Sequence, residues 1–244
     1  MKFGRLAVWF YYSPVRIVGR HHIPRRGPVL LVANHANSLV DPVLVGLTAK
    51  RRVSFLAKAP LFQVALFGKF MTWIGMIPVH RPQDDPTLTK RSLVSLVMAA
   101  KSLVGGTAVG IFPEGKTHDL RALSEVLGGT ARMIQQALDA GATGLQVVPV
   151  GINYDDMRIF RSAVWIEVGH PLDVAALLAD AATTAAARHV LTKEIAVRLR
   201  EVIIHLLVIF LDGHAHGKQA VEGDAAALAT TLERPGMTWF SSLE

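Results

Sequence analysis

Short apolar runs alternate along this chain with longer segments in which apolar residues recur at helical spacing. The apolar runs predict strands at residues 15–19, 27–33, 53–58, 75–81, 107–112, 147–153 and 163–169. The longer segments predict five helices. One begins at Asp41–Pro42, and the others cover residues 60–73, 84–103, 124–140 and 185–212. Strands that alternate with helices are typical of an α/β domain. We therefore predict a mixed, largely parallel sheet flanked by helices.

The two ends of the chain depart from this pattern. Residues 1–14 combine Lys2 and Arg5 with a run of aromatic residues, which predicts an N-terminal interfacial helix. Residues 15–212 form the predicted main domain, which ends in a strongly apolar C-terminal helical extension. Residues 213–244, rich in Ala, Gly and Thr, are a tail of uncertain structure. The sequence has no secretory signal pattern and no apolar run of the ~18–20 residues that span a bilayer.

The charge balance narrows the expected partners. With 26 Lys and Arg against 19 Asp and Glu, the chain has a formal net charge of +7. Such a balance favours an anionic partner: a phosphorylated substrate, an anionic membrane surface or nucleic acid. The sequence has no recognition-helix, ribonucleoprotein or zinc-finger pattern, so we expect no nucleic-acid partner. The absence of cysteine excludes disulfides, a cysteine nucleophile and a cysteine-ligated zinc site.

Candidate chemistry first occurs directly after the strand at 27–33. His35 follows that strand, and Asp41 comes after five intervening residues, where the next helix begins. Ligands of α/β sheets bind at the carboxyl ends of the strands, which makes both residues candidates for a site. In one interpretation Asp41 caps the helix, with Pro42 at its first position, and His35 is an ordinary loop histidine. In the other, the carboxylate orients an imidazole base.

Two further strand ends carry polar residues that suit a site. Arg81 ends the predicted strand at 75–81, where it is either a surface charge or a ligand-binding cation. The strand at 107–112 leads into a loop that offers a carboxylate, a permissive glycine, a cation and a hydroxyl, namely Glu114, Gly115, Lys116 and Thr117. Carboxyl ends of parallel strands share one edge of a sheet, which favours a common site.

Two other patterns have structural explanations. Pro149 lies inside the strand at 147–153, which predicts an edge strand or a break in the hydrogen-bond ladder. His21 and His22 are adjacent in a turn with no carboxylate or thiol nearby in sequence. We therefore interpret the paired histidines as part of a solvated turn, and we predict no metal site.

Four blocks of sequence, taken in order, resemble a known family. They are Asn34-His35 with Asp41-Pro42, the run 75–81, Phe112-Pro113-Glu114-Gly115, and Val148-Pro149-Val150. Together they resemble the four blocks of the glycerolipid acyltransferases, the group of lysophosphatidic acid and glycerol-3-phosphate acyltransferases. The resemblance covers residues 15 to 175. Each block alone is a weak signal, whereas Phe-Pro-Glu-Gly downstream of Asn-His and Asp-Pro is a strong one.

The resemblance implies an activity. A fatty acyl group would move from acyl-CoA or acyl carrier protein to the hydroxyl of a glycerophosphate, with 1-acylglycerol-3-phosphate as the expected acceptor, in phospholipid biosynthesis. Glycerol-3-phosphate or another lysophospholipid is the alternative acceptor, and a non-catalytic membrane- or lipid-binding protein is the alternative function. No cofactor is implied beyond the thioester substrate. The expected location is the cytoplasmic face of a membrane, as a peripheral protein on an anionic surface.

The resemblance also implies roles for individual residues. His35 would be the general base, and Asp41 would orient it. Arg81 would bind the phosphate of the acceptor. The other residues implied at the acceptor site, or in support of its pocket, are Glu114, Gly115, Lys116, Thr117 and Pro149. Backbone N–H groups near Gly115 are candidates to stabilise the oxyanion that develops during acyl transfer.

The chain departs from the family pattern in three places. Five residues separate His35 from Asp41, where four are usual, and this spacing resembles a fungal-type glycerol-3-phosphate or dihydroxyacetone-phosphate acyltransferase branch. Thr117 stands where many relatives carry an arginine, and Leu127 stands where many carry a lysine. Arg81 and Lys116 are therefore both candidates for the cation that binds the phosphate.

Overall fold

Two compact units make up the chain, Met1–Leu206 and Leu207–Glu244. The computed structural model describes residues 8–38, 40–73, 75–80, 89–117, 123–179 and 181–213. It describes their side chains except for residues 67, 70, 73, 89–92 and 204–213. The contacts within the chain define the division after Leu206, and the boundaries after residues 14 and 212 stay predictions.

A seven-stranded sheet lies at the centre of the first unit, in the order β1-β7-β6-β2-β5-β3-β4. The pair β6–β7 is antiparallel, and the other five pairs are parallel. This confirms the predicted mixed, largely parallel sheet. The strands are β1 Val15–Val18, β2 Val29–Ala33, β3 Val53–Lys58, β4 Ile77–Val79, β5 Ala108–Ile111, β6 Gln146–Tyr154 and β7 Val164–Val168.

Helices connect these strands and cover the sheet. The first described helical residues are 8–11, called α1 here. The others are α2 Val40–Ala49, α3 Ala65–Trp73, α4 Thr89–Val104, α5 Gly129–Asp139, α6 Val174–Ala179 and α7 Thr184–Gly213. Short 3₁₀ helices cover Arg20–His22 and Ala59–Gln63. Within the described residues, none of these helices combines the length and the apolar character that crossing a bilayer requires.

The sheet has a hydrophobic cluster on each face, which explains why β2 is buried along its whole length. Successive side chains of a strand point to opposite faces. Accordingly, Leu30 and Val32 join a cluster with α4, α5 and α7, whereas Leu31 joins a cluster with α2, Val8 and Tyr12. Each fully buried leucine contributes about 1.5–3 kcal/mol to folding. The N-terminal residues Val8 and Tyr12 thus belong to the core of the main domain.

One edge of the sheet collects the loops that matter for function. Strands β2 to β6 run parallel to one another, so their carboxyl ends share this edge, which we call the site edge. Strand β7 is antiparallel to β6, and β1 is parallel to β7, so these two strands begin there. The loops after β2 and β5, the end of β6 and the segment before β1 therefore meet at the site edge.

The segment predicted as one helix over 60–73 is divided in two. The 3₁₀ helix Ala59–Gln63 ends at an extended Val64, and α3 follows. A Cβ atom on Gly68 would lie 2.0 Å from the carbonyl oxygen of Phe62. The glycine therefore lets the backbone of the first segment lie directly against α3, an approach that a continuous helix would not make.

Strand β4 covers Ile77–Val79 and is therefore shorter than the predicted 75–81. Helix α4 is described over Thr89–Val104, one residue beyond the predicted end at 103, and its predicted start at residue 84 lies outside the described residues. Residues 81–88 lie outside the described residues, and Arg81 is among them.

Pro149 lies at a break in a hydrogen-bond ladder inside the sheet. Of the two predicted alternatives, the break in the ladder is confirmed and the edge strand is wrong. Strand β6 lies between β2 and β7, and Pro149 is in register with Val32. The carbonyl of Pro149 accepts a hydrogen bond from the N–H of Gly169, so its nitrogen faces the β7 side too. There the regular β6–β7 pairing stops at Val150, and an isolated bridge resumes at Val147. The missing N–H therefore falls where the ladder is interrupted.

Candidate active site

His35 and Asp41 meet in the loop that follows β2. The Nδ1 atom of His35 lies 2.9 Å from Oδ2 of Asp41, and the carboxylate is fully buried. Helix α2 already begins at Val40, so Asp41 is not its N-cap. The interpretation in which Asp41 caps the helix is therefore wrong. The N–H of Asp41 donates to the carbonyl of Asn37, and its side chain turns back over the loop. This return brings the two side chains together across five intervening residues.

The Asp41 carboxylate accepts three hydrogen bonds in the described structure. Oδ2 accepts from the N–H of Asn37 at 2.7 Å as well as from His35, and Oδ1 accepts from the hydroxyl of Tyr154 at 2.5 Å. An ionised carboxylate is only an acceptor, so its contact with His35 assigns the imidazole proton to Nδ1. The lone pair of the neutral ring is then on Nε2, where a base needs it.

Two tyrosines, Tyr12 and Tyr154, lie beside this loop, and no sequence pattern selected either of them. Burial, followed by the charge of Asp41, raises the pKa of Tyr154 far above its usual range. Burial is also the main cause that raises the pKa of Tyr12 to about 12. The Tyr12 hydroxyl donates to the carbonyl of Met157 and accepts from the side-chain amide of Asn37. Both phenols are therefore neutral at physiological pH and serve as hydrogen-bonding groups.

Aromatic stacking also holds the ring of His35 in place. The ring of His35 stacks on Phe112, with centroids 4.0 Å apart and planes inclined by 13°. Phe112 directly follows β5 and stacks in turn near Phe55 of β3. The His35 side chain is 15% exposed, so its ring is held between the sheet and a small opening to solvent.

Asn34 ties the start of the same loop to the neighbouring strand. Its side-chain oxygen accepts from the N–H of Ile152 at 2.7 Å, and its side-chain amide donates to the carbonyl of Ile152 at 2.9 Å. Backbone pairing between β2 and β6 ends at Ala33 and Val150, so Asn34 continues that pairing with its side chain. The catalytic candidate His35 thus leaves the sheet from a fixed position.

Glu114 links the loops that follow β2 and β5. The side chain is 2% exposed; Oε1 accepts from the N–H of His35 at 2.8 Å, and Oε2 accepts from the N–H of Ser124 at 2.7 Å. The N–H of Leu127 donates to the carbonyl of Pro113. These bonds hold 124–127 outside any helix, so α5 begins at Gly129 and the predicted start at Ser124 is wrong.

Gly115 makes the turn that the loop after β5 requires. Its φ of 69° is a conformation that favours glycine, and its N–H donates to the carbonyl of Phe112. The Gly115 N–H is thus engaged within the turn, and the stabilisation of an oxyanion by N–H groups near Gly115 stays a prediction. Lys116 and Thr117 are exposed in the same loop, and the Thr117 hydroxyl lies 3.2 Å from that of Ser38.

Of the remaining selected residues, Pro149 lies within β6, and Arg81 lies outside the described residues. Pro149 is inside the sheet, and its ring lies close to Gly169.

His22 bonds the carbonyl of Val168 and packs its ring on His21 and His170, at the sheet edge opposite the site. His22 is therefore partly buried rather than fully solvated. Among the residues that the structure describes, no cluster of His, Asp or Glu has the geometry to hold a metal ion.

Comparison with known proteins decides the family. A family model described as acyltransferase matches residues 14–153, which is more than half of the chain. This chain belongs to the acyltransferase family. The matched range includes the loops after β2 and β5 and all of β6 except Tyr154. The family resemblance that the four blocks indicated is therefore confirmed.

The acyltransferase is similar to curated proteins over part of their length. It is 25% identical to glycerol-3-phosphate O-acyltransferase 1 of Saccharomyces cerevisiae, over 69% of this chain and 34% of that protein. It is 27% identical to 1-acyl-sn-glycerol-3-phosphate acyltransferase of Borreliella burgdorferi, over 69% and 65%. It is 31% identical to lyso-ornithine lipid O-acyltransferase of Brucella abortus, over 62% and 54%. The chain thus spans from a third to two thirds of the length of these relatives.

The acyltransferase also shares its fold with a solved structure. The 1-acyl-sn-glycerophosphate (LPA) acyltransferase PlsC of Thermotoga maritima superposes with a TM-score of 0.60 at 21% identity. The superposition covers 84% of this chain and 77% of that one. At this level of identity the likeness shows the common α/β fold.

Proposed function

We propose that this acyltransferase transfers a fatty acyl group from a thioester to the hydroxyl of a glycerophosphate, by general-base catalysis at His35. The hydrogen bond from Nδ1 of His35 to the buried Asp41 carboxylate carries the proposal. It fixes the tautomer that leaves Nε2 as the base, and it provides a negative charge for the imidazolium that forms. General-base catalysis of this kind contributes about 10²–10⁴-fold to the rate.

The reaction proceeds in two steps on these residues. Nε2 of His35 removes the proton from the acceptor hydroxyl while the hydroxyl oxygen attacks the thioester carbonyl. The tetrahedral intermediate then expels the thiolate, which takes the proton back from the imidazolium and leaves as a thiol. The thioester is already activated, so the mechanism uses no covalent enzyme intermediate, metal or cofactor. Acyl-CoA and acyl carrier protein are the two thioester donors that we propose.

The expected acceptor is 1-acylglycerol-3-phosphate, with glycerol-3-phosphate or another lysophospholipid as the alternative. The names of the similar proteins from Borreliella and Saccharomyces support both choices. The net charge of +7 favours an anionic acceptor. Within the described residues, exposed Lys116 lies in the loop of Glu114, at the site edge. Arg81, from the sequence resemblance, is the other proposed phosphate ligand.

We further propose that the site edge rests on an anionic membrane surface. Trp9, Phe10, Tyr11, Ile159 and Phe160 are exposed there, and we call these five residues the aromatic surface. Phe160 packs against Phe10 and Tyr11, with centroids 5.3 and 5.8 Å away. Exposed Arg158 and Arg161 flank Ile159 and Phe160. Aromatic rings beside cations suit the interface of a bilayer with anionic lipids.

A second group of exposed apolar residues follows β3 at the same edge. Leu61, Val64 and Leu66 are 37, 56 and 86% exposed. They lie in the segment 60–73, and the carboxyl end of β3 places the start of that segment at the site edge. Two apolar groups on either side of the His35 loop favour peripheral binding with the catalytic loop facing the lipid. We propose the cytoplasmic face, because its leaflet carries the anionic lipids.

An acyl-transfer assay tests the proposal. Purified protein is incubated with radiolabelled acyl-CoA or acyl carrier protein thioester and with each acceptor, in the presence of vesicles. Glycerol-3-phosphate, 1-acylglycerol-3-phosphate and lysophosphatidylcholine are compared with 1-monoacylglycerol, which lacks the phosphate. We expect a new ester on a phosphorylated acceptor and little on the monoacylglycerol. Vesicle binding without transfer to any acceptor would instead support the non-catalytic lipid-binding alternative.

A further inference from the structure

The two oxygens of the Asp41 carboxylate have different partners. Oδ2 accepts from His35 and from the N–H of Asn37, both in the loop after β2. Oδ1 accepts from the hydroxyl of Tyr154, at the end of β6. The rotation of the carboxylate about its own bond is thereby fixed from two independent elements, and the oxygen that faces His35 is determined.

The burial of the Asp41 carboxylate makes this second anchor important. Asp41 lies within the first turn of α2, where its N–H is already bonded to Asn37, and its side chain must turn back to reach His35. The carboxylate is fully buried, so water does not solvate Oδ1. A buried acceptor without a donor is costly, and Tyr154 supplies that donor among the described contacts.

The sheet, rather than the loop, positions the Tyr154 hydroxyl. Strand β6 is paired with β2 through Val150 and Ala33, and the side chain of Asn34 extends the pairing to Ile152. Tyr154 follows two residues later and packs its ring against Tyr12, with centroids 5.3 Å apart. Its environment favours the neutral phenol, so the hydroxyl remains a donor to Asp41 across the working pH range.

We propose that Tyr154 is a positioning residue that acts through Asp41 to hold His35 in the reactive tautomer and orientation. The inference rests on the proposed function, since it assigns His35 as the base. Tyr154 itself does not touch the His35 ring in any described contact. Removing its hydroxyl is therefore expected to impair the base and to leave the binding of both substrates unchanged.

The test compares Tyr154→Phe with Thr48→Val. Thr48 is buried on α2, the helix that also carries Asp41, and its hydroxyl bonds the carbonyl of Leu44 instead of the carboxylate. Both variants lose one buried hydroxyl with little change in shape. We expect Tyr154→Phe to lower kcat about 10- to 100-fold with KM for both substrates unchanged, the size of one hydrogen bond to a charged group. Thr48→Val is expected to retain the wild-type kcat.

A double-mutant cycle tests whether Tyr154 acts through Asp41. If it does, Tyr154→Phe costs little further activity in the Asp41→Asn background, because the interaction is already lost. A pH profile of kcat gives a second readout. The titratable groups around the carboxylate are His35, Tyr154 and Tyr12, with Glu114 on the backbone of His35. In Tyr154→Phe the Asp41 carboxylate loses one donor and stabilises the imidazolium of His35 more strongly. The acid limb of the kcat profile is therefore expected to move to higher pH.

Nitrogen-15 NMR of the imidazole tests the proposal without any assay of activity. The His35 signal is assigned by its loss in His35→Ala. We expect the Nδ1–H tautomer in the wild type and in Thr48→Val, and a mixture of tautomers in Tyr154→Phe. An unchanged tautomer in folded Tyr154→Phe would overturn the positioning role, as would full kcat or additive losses in the cycle. If the wild type transfers no acyl group, the proposed function fails, and the NMR result still decides the role of Tyr154.

Discussion

The carboxylate of Glu114 accepts the backbone N–H of His35 at 2.8 Å, which joins the loop after β5 to the loop after β2. Its other oxygen accepts the N–H of Ser124. One buried side chain thus fixes the backbone on which the proposed base stands and the segment that precedes α5. Glu114 therefore shapes the site through backbone contacts, and this geometry leads to the first prediction.

Glu114→Gln is expected to destabilise the protein. The amide nitrogen of glutamine would face an N–H donor where one of the two carboxylate oxygens now accepts, so the free energy of unfolding should fall by about 1–3 kcal/mol. Urea unfolding monitored by circular dichroism measures this change. Glu125→Gln is the matched control, because Glu125 is exposed in the same segment. Equal stability of the two variants would show that Glu114 does not hold these loops.

Phe10→Ser with Phe160→Ser is expected to weaken binding to vesicles that contain anionic lipid. The two rings are 62 and 50% exposed and contact each other on the aromatic surface. The loss of two apolar side chains from the lipid contact should lower the partition coefficient about tenfold or more. Vesicle flotation measures it. Val104→Ser is the control, since Val104 is exposed just before β5, at the opposite edge of the sheet. Equal flotation of both variants would rule out the aromatic surface as the lipid contact.

Arg81→Ala is expected to weaken acceptor binding more than Lys116→Ala does. A guanidinium pairs with two phosphate oxygens, whereas an ammonium is a point charge. The loss in kcat/KM for the acceptor should correspond to about 2–4 kcal/mol, with Arg81→Lys restoring only part of it. The KM for the thioester should stay constant. Arg26→Ala, which changes an exposed turn, is the control and should alter neither the KM for the thioester nor kcat/KM for the acceptor. Loss of thioester binding alone would assign Arg81 to the donor site.

The stability difference between the wild type and Tyr12→Phe is expected to narrow above pH 10. The Tyr12 pKa is raised to about 12 in the folded protein, whereas an unfolded tyrosine ionises near 10. Between these values the unfolded state loses a proton that the folded state keeps, so the contribution of Tyr12 to stability falls as the pH rises. Urea unfolding at pH 8 and pH 11.5 measures both proteins. Thr48→Val, which removes a hydroxyl that does not ionise in this range, should show a constant difference. A Tyr12→Phe difference that also stays constant would contradict the raised pKa.

The proposed catalytic pair was accessible from the sequence because it is local. His35 and Asp41 lie in one loop at the end of an apolar strand, and both were selected on that position. The two tyrosines beside this loop were not accessible in this way. Tyr12 lies 25 residues before Asn37, and Tyr154 lies 113 residues after Asp41. Only the order of strands in the sheet brings these tyrosines to the loop, and apolar patterning does not encode that order.

Local pattern also failed where tertiary hydrogen bonds compete with helix formation. The apolar spacing from Ser124 onward suits a helix, yet Glu114 and Pro113 hold residues 124–127 as a loop. Pro149 shows the converse case. Proline indicated an interrupted ladder, which is present, but the sequence alone did not determine that the interrupted strand lies inside the sheet.

Acyl transfer by His35→Ala tests the central claim most directly. The purified variant is compared with the wild type and with His189→Ala, which removes an exposed histidine of α7. Acyl-CoA, the acceptor found for the wild type and anionic vesicles are held constant, and circular dichroism verifies the fold of each protein. Loss of the general base predicts a fall in kcat of about 10²–10⁴-fold in His35→Ala and wild-type kcat in His189→Ala. Turnover of folded His35→Ala at the wild-type rate would contradict the account, because the site would then transfer acyl groups without the base that Asp41 orients.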